Sequence, residues 1–345
     1  MKILLGLSGG VDSTYAALAL KNDGHEVEAA VLKMHSYTTI DEAEESAASL
    51  GIPLHVIDCS VPFENTVVEN FVSEYSRART PNPCVICNSE VKFEYLYSYA
   101  MEHEFDAIAT GHYAKIRKIT DEYGDLYAVE RGADSKKDQT YMLWRISQKI
   151  LSKLVLPLAD MVKSDIRAKT KEAGLLSAER ADSQEICFIP DGDYATFVEG
   201  RTGVSEKGDF IDESGKKLGT HNGIIRYTVG QRKGLGISAA SRLFVTKIDP
   251  VSNLITLSLN DSYAKNVKVS GIVYSGMRGS DAPVSKRLSV KLRYAAPAVP
   301  CTVEFSGSSA TVTLDEKQRA VTPGQSAVFY DGDVLVAGGF IDEGN

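Results

Sequence analysis

Two groups of residues in this chain have types and spacings suited to chemistry. The first is Gly6-Leu7-Ser8-Gly9-Gly10-Val11-Asp12-Ser13, which continues an apolar stretch beginning at Ile3. A glycine pair flanked by serines lets successive backbone N–H groups face one concavity, and a helix starting behind it adds positive dipole. Main chain alone can then hold a pyrophosphate. A Walker loop would end in Lys-Ser/Thr and reach the terminal phosphates; this one does not, so cleavage between the α- and β-phosphates is expected. That is adenylation, the placing of AMP on a substrate oxygen. Asp12 is a candidate helper for Mg²⁺ and equally a candidate helix N-cap.

The second group is thiols. Cys84 and Cys87 form C-x-x-C within Thr80-Pro81-Asn82-Pro83-Cys84-Val85-Ile86-Cys87-Asn88, just ahead of a helical pattern, and Cys187 stands in Cys187-Phe188-Ile189. A helix N-terminus stabilises a thiolate, favouring nucleophilic attack or metal ligation. The motif alone is compatible with zinc, an iron–sulfur cluster or a redox pair, and no fourth cysteine sits at zinc spacing. Cys59 and Cys301 fall in strand-like runs and read as core. Among the histidines there is no H-x-x-H or H-E-x-x-H. His112, after Gly111, draws notice by position, although a solvated loop histidine is its plain explanation.

These groups need a frame. The first 110 residues alternate apolar strand-like runs (3–7, 27–33, 54–58, 107–110) with helical patterns from Asp12, over 41–50 and from about Pro62, the rhythm of a parallel sheet covered on both faces. Ligands bind such sheets at the carboxyl edge, which puts Ser8 and Gly111 at one rim. From about residue 200 the texture shifts to short β-like pieces rich in glycine, and from about 266 to alternating segments that read as a small antiparallel barrel.

At 345 residues, 43% hydrophobic, the chain suits two or three domains. No apolar run is long enough to span a membrane and no signal peptide is evident, so a cytoplasmic location with no membrane partner is expected. Five scattered cysteines argue against a secreted disulfide framework. The net charge of −8 conceals an asymmetry: residues 201–300 hold 16 Lys and Arg against 7 Asp and Glu, whereas the rest holds 22 against 39. One basic face on an acidic body is what local phosphate binding requires.

Six segments in order, namely Gly6 to Ser13, Thr80 to Asn88, Thr110 to Ala114, Lys137 to Tyr141, Cys187 to Ile189 and Tyr227 to Gly236, resemble the tRNA-specific 2-thiouridylases of the MnmA/TrmU type over nearly the whole length. The resemblance implies an α/β protein with an N-terminal PP-loop domain, adenine nucleotide alpha-hydrolase-like with a Rossmann-like parallel sheet (1–200). A small central tRNA-binding domain (201–265) and a C-terminal β-barrel (266–345) would follow. It implies ATP-dependent 2-thiolation of the wobble uridine of tRNAs for Lys, Glu and Gln, with release of AMP and pyrophosphate. ATP would contact Gly6, Leu7, Ser8, Gly9, Gly10, Val11, Asp12, Ser13, Leu32 and Gly111. Cys87 would be the nucleophile, and Cys187 would carry a persulfide received from a sulfur-donor protein or cysteine desulfurase. The two would form a disulfide during turnover. Asn82, Pro83 and Cys84 would lie along the target base, and His112, Lys137, Asp138, Gln139, Arg293, Tyr294 and Gln325 would contact tRNA.

One departure matters. Many members carry Asp where this chain has Cys84, and that Asp is the family's acid/base group. The resulting set Cys84, Cys87, Cys187 resembles related thiolases that hold a [4Fe–4S] cluster with one open iron, which stands as the alternative to a persulfide. Two rival readings fit parts of the sequence. A PP-loop enzyme with an amine nucleophile would not need Cys87 or Cys187, and a non-catalytic iron–sulfur RNA-binding protein would release no AMP.

Overall fold

The computed structural model describes residues 1–180, 186–238, 241–279 and 284–344. Short apolar runs near the N-terminus form β1 (Lys2–Gly6), β2 (Glu26–Lys33), β3 (Leu54–Asp58) and β4 (Ala107–Thr110); after a hairpin of β5 (Lys115–Asp121) and β6 (Gly124–Glu130) comes the two-residue β7 (Leu154–Val155). They build a parallel sheet in the order β3-β2-β1-β4-β7. Parallel pairing requires crossovers, and the crossovers cover both faces. Because side chains alternate along a strand, Ile3 and Leu5 face α1 (Val11–Asn22) and α2 (Ile40–Leu50), through Ala16, Ala17, Leu20, Ala43 and Ala47. Leu4 and Ile108 pack on the other face with Phe93, Leu96 and Ala100 of helix Phe93–Glu102. Gly51 ends α2 in the left-handed conformation, φ 61°, where a Cβ would be strained.

A small central sheet follows, β10 (Phe244–Asp249), β11 (Leu254–Ser258), β8 (Gly208–Ile211) and β9 (Lys217–His221) in that spatial order, around Phe210, Val245, Ile255 and Leu257. The last unit contains β12 (Tyr263–Tyr274), β13 (Ser285–Lys291), β14 (Val299–Ser306), β15 (Ser309–Arg319), β16 (Ser326–Asp331) and β17 (Val334–Gly344). Pairing of β12 with both β15 and β17 closes these strands into a barrel, which removes exposed edges. The expected α/β domain, small central domain and barrel are therefore all present.

One feature runs against the linear order of the chain. The β5–β6 hairpin, from the first domain, joins the barrel sheet through β6 and β17. Trp144, the single tryptophan, is fully buried at this junction, its indole N–H donating to Ser326 Oγ at 3.0 Å, while Tyr141 donates to the Ser326 carbonyl at 3.0 Å. Gly338 lies so close that a Cβ there would stand 2.6 Å from the indole ring. The barrel also braces the Thr80 loop: Thr80 N–H donates to the Pro323 carbonyl at 2.8 Å and Gln325 Nε2 to the Thr80 carbonyl at 2.8 Å. Distant β-structure thus fixes the entry to the thiol helix.

Candidate active site

The loop after β1 leaves the sheet at its carboxyl edge. Gly9 takes φ +81°, and a Cβ there would lie 2.5 Å from the Glu42 backbone, so only glycine fits. Ser13 Oγ accepts from the Ser8 N–H at 3.2 Å and lies 3.1 Å from both Ser8 Oγ and the Gly10 carbonyl. Gly10 is the N-cap of α1 and offers no side-chain cap, which leaves first-turn N–H groups of a twelve-residue helix open toward the loop. Asp12 is in the first turn rather than at the cap. Lys163 Nζ lies 2.6 and 2.7 Å from its two carboxylate oxygens, and the Tyr113 hydroxyl donates to one of them at 2.5 Å. Gly111 closes the rim: a Cβ there would be 2.8 Å from Ser13 N.

Beside this loop, Pro83–Ile86 forms a helical turn that continues as the π-helical stretch Cys87–Lys92 and then helix Phe93–Glu102. Asn82 caps it, its Oδ1 accepting from the Cys84 N–H at 3.2 Å, and Pro83 fills the first position, where no N–H is needed. Cys87, however, falls within the run of helices. It is only 8% exposed, packs in one cluster with Leu32, Cys59 and Phe188, and places its Sγ 3.6 Å from Met34 Sδ.

Burial dominates its acidity. Desolvation pushes the Cys87 thiol up to about 12, against the pull of Lys92, and the nearby Cys187 and Cys84 sulfurs add to the rise. The expectation of a thiolate stabilised by a helix N-terminus is not met at Cys87, because the residue lies within the run of helices and desolvation outweighs the pull of Lys92. Cys84 and Cys187 present surface to solvent, yet their thiols are also raised, chiefly by desolvation in the concavity they share. Cys84 also raises Cys187, so the three sulfurs form one electrostatic group.

Lys92 reaches all three and His112 as well. Among the described residues no carboxylate pairs with it. His112 is not a solvated loop residue. Its Nδ1 is 2.8 Å from Thr110 Oγ1, its ring lies 5.4 Å from that of Phe93, and burial, then Lys92, lowers it to about 3. The imidazole is held toward its neutral form. A cavity of about 430 Å³ lined by Met34, His35, Phe63, Phe188 and Ile189 lies next to the thiols. Asn88, beside Cys87, donates from Nδ2 to the Met142 carbonyl at 3.1 Å and leaves a buried Oδ1 with no partner among the described residues.

The structure thus brings Ser8–Ser13, Leu32, Gly111, His112, Asn82, Pro83, Cys84, Cys87 and Cys187 to one side of the sheet. The remaining expected positions divide. Asp138 is buried under the barrel, accepting from Thr140 N–H and Oγ1 and lying 3.5 Å from Lys291 Nζ and 3.7 Å from Arg131 Nε. Gln139 exchanges hydrogen bonds with the Tyr113 backbone, Gln325 holds Thr80, and Arg293 donates to the Arg319 carbonyl at 2.5 Å. Lys137 donates its backbone N–H to the Asp134 carbonyl. Tyr294 is 39% exposed. Lys92, Lys163 and Arg180 carry site charges that sequence inspection passed over; Lys163 is 151 residues from its partner Asp12, and no local spacing could have revealed it.

Among the described residues, no three His, Cys, Asp or Glu side chains converge as metal ligands. No helix is long and apolar enough to cross a membrane among those residues.

Comparison with known proteins follows the three-domain organisation. Family models match residues 1–191 (tRNA methyl transferase HUP domain), 195–258 (tRNA methyl transferase PRC-barrel domain) and 268–341 (aminomethyltransferase beta-barrel domain). Curated relatives named tRNA-specific 2-thiouridylase MnmA are 38% identical in Clostridioides difficile (99% of this chain, 98% of the relative) and 40% identical in Acetivibrio thermocellus (99% of each). A solved 4-thiouridine synthetase–RNA complex with bound ATP aligns at 19% identity over 58% of this chain and 50% of that one, with a TM-score of 0.38, too partial a likeness to argue from. With relatives matched end to end at this level, the chain belongs to the tRNA-specific 2-thiouridylase (MnmA) family.

Proposed function

We propose that this chain uses ATP to replace the C2 oxygen of the wobble uridine in tRNAs for Lys, Glu and Gln with sulfur. The observation that carries the reading is the gathering of three thiols beside a main-chain phosphate loop at one sheet edge. ATP lies along Gly6 to Ser13, with Leu32 and Gly111 bounding it. Asp12 is the residue that would hold Mg²⁺, and the Lys163 ammonium already sits where a cation would bind.

The uracil O2 attacks the α-phosphorus, pyrophosphate leaves, and the base gives up its N3 proton. The oxygen, a poor leaving group, has become part of AMP. The terminal sulfur of a Cys187 persulfide attacks C2 and AMP departs with the C–O bond. Cys87, as thiolate, then attacks Cys187 Sγ; the S–S bond breaks, its electron pair passes to the sulfur on C2, and a Cys87–Cys187 disulfide remains for an external dithiol to reduce. A sulfur-donor protein or cysteine desulfurase reloads Cys187. Asn82, Pro83 and Cys84 border the base, and His112, Lys137, Asp138, Gln139, Arg293, Tyr294 and Gln325 lie on or beneath the surface that takes the tRNA. An anticodon base leaves its stack at lower cost than a base in a duplex.

The test is thiolation of unmodified tRNA transcript, with AMP counted against 2-thiouridine and iron and acid-labile sulfide measured in anaerobically purified protein. Equal AMP and thiouridine without iron supports the persulfide route. Cluster iron that is lost together with activity in Cys84→Asp replaces that route with a [4Fe–4S] one, and AMP release without thiouridine overturns the reading.

A further inference from the structure

Arg180 grips the phosphate loop from outside. Its Nη1 donates to the Gly9 carbonyl at 2.5 Å and the Glu42 carbonyl at 3.2 Å and lies 3.3 Å from Ser46 Oγ, while Nη2 pairs with the Glu45 carboxylate. The side chain is 19% exposed. Arg167 holds the neighbouring backbone, donating to the carbonyls of Ala178 at 2.6 Å and Arg180 at 3.0 Å. The guanidinium therefore has a fixed base and several acceptors on the loop side.

The consequence lies on the opposite side of one peptide unit. A trans peptide is planar, so a carbonyl and the N–H that follows it point in opposite directions. Arg180 draws the Gly9 carbonyl toward α2, and the Gly10 N–H must then face into the loop, where among the described residues it has one long contact, to Ser8 Oγ at 3.4 Å. That contact is weak enough for an anion to replace. A peptide between two glycines is poorly defended against flipping, because neither residue has a Cβ to exclude the alternative. Flipped, it would turn a carbonyl oxygen toward the phosphates.

We propose that Arg180 is a positioning residue of the phosphate loop, locking the Gly9–Gly10 peptide so that the Gly10 N–H points at the bound polyphosphate. It does so without touching nucleotide, substrate or thiol. This rests on the ATP site proposed above.

The test is calorimetric titration of the full chain and its Arg180→Met and Arg180→Lys variants with ATP and, separately, with adenosine, alongside thermal melts. Loss of one aimed donor to a charged ligand should weaken ATP binding of Arg180→Met by about tenfold or more, with adenosine binding held within about twofold. Arg180→Lys, which can still reach the Gly9 carbonyl with one donor, should fall between. Should Arg180→Met melt early, the ratio of ATP to adenosine affinity in Arg180→Lys carries the same test. Arg180→Met binding ATP as the wild type does overturns the role of Arg180 alone. Equal loss for both ligands also overturns it, since Arg180 would then only brace the fold. A wild type that holds ATP no better than adenosine overturns the ATP site and this role together.

Discussion

Around the phosphate loop the polar side chains are paired: Ser8 with Ser13, Thr14 with the Gly10 carbonyl, Asp12 with Lys163 and Tyr113, and Ser46 with the Gly9 carbonyl. Around the thiols the opposite holds. Among the described residues, the Cys87 sulfur has the Met34 thioether as its one polar contact, Asn88 Oδ1 has no partner and Lys92 pairs with no carboxylate, and all three sulfurs are held toward the protonated form. An anion cradle made of main-chain N–H groups costs nothing to keep ready, because amide dipoles do not titrate and need no reorganisation when charge arrives. A thiolate in a desolvated pocket is different. It is kept protonated, and so protected from oxidation, until a change in surroundings favours the anion. Readiness at the nucleotide end and dormancy at the sulfur end are what an ordered two-step reaction needs.

The largest test of that contrast is Cys187→Ser. Thiolation should fall at least about a hundredfold while tRNA affinity stays within about twofold, because a nucleophile is lost without a contact. Binding reduced as far as activity would remove Cys187 from the sulfur step. At the other end, Gly9→Ala forces a Cβ onto the Glu42 backbone at a positive φ, with an expected stability loss of about 1–3 kcal/mol and ATP affinity down roughly tenfold, whereas alkylation of Cys187 should not change. Normal ATP binding by that variant would show that the loop is not held as described.

A pH series sharpens the contrast further. Since burial raises Cys87 from 9.0 to about 12, its iodoacetamide labelling in tRNA-free protein should keep climbing above pH 9, where an ordinary thiol levels off; mass spectrometry of the modified peptide reads this directly. Levelling near pH 8 would mean that Lys92 prevails over desolvation. The smallest effect concerns the barrel rim. Arg293→Glu should weaken tRNA binding severalfold and lower the salt slope by about one unit, and an unchanged slope would take Arg293 out of the interface.

How much of this was legible beforehand depended on sequence distance. Strands 3–7, 27–33, 54–58 and 107–110 were readable because apolar runs bounded by turn residues leave a local trace, and the loop from Gly6 to Ser13 because its chemistry is packed into consecutive residues. The hairpin β5–β6 joining the barrel was not, since nothing in 115–130 names its neighbour. His112 looked like a solvated loop residue and is a half-buried imidazole held toward its neutral form, because it packs against Phe93 and pairs with Thr110. Asp138 lies under the barrel between Lys291 and Arg131, a pairing that no local spacing announces.

By itself, the amino-acid sequence determined the parallel sheet, the glycine-serine phosphate loop and the presence of Cys84, Cys87 and Cys187, since each depends on residues close in the chain. Only the tertiary structure decided the environment of those groups. Which cation meets Asp12 and which arginine holds Gly9 depend on charges brought in from more than a hundred residues away, and whether Cys87 is thiol or thiolate depends on desolvation; neither has any signature in local spacing.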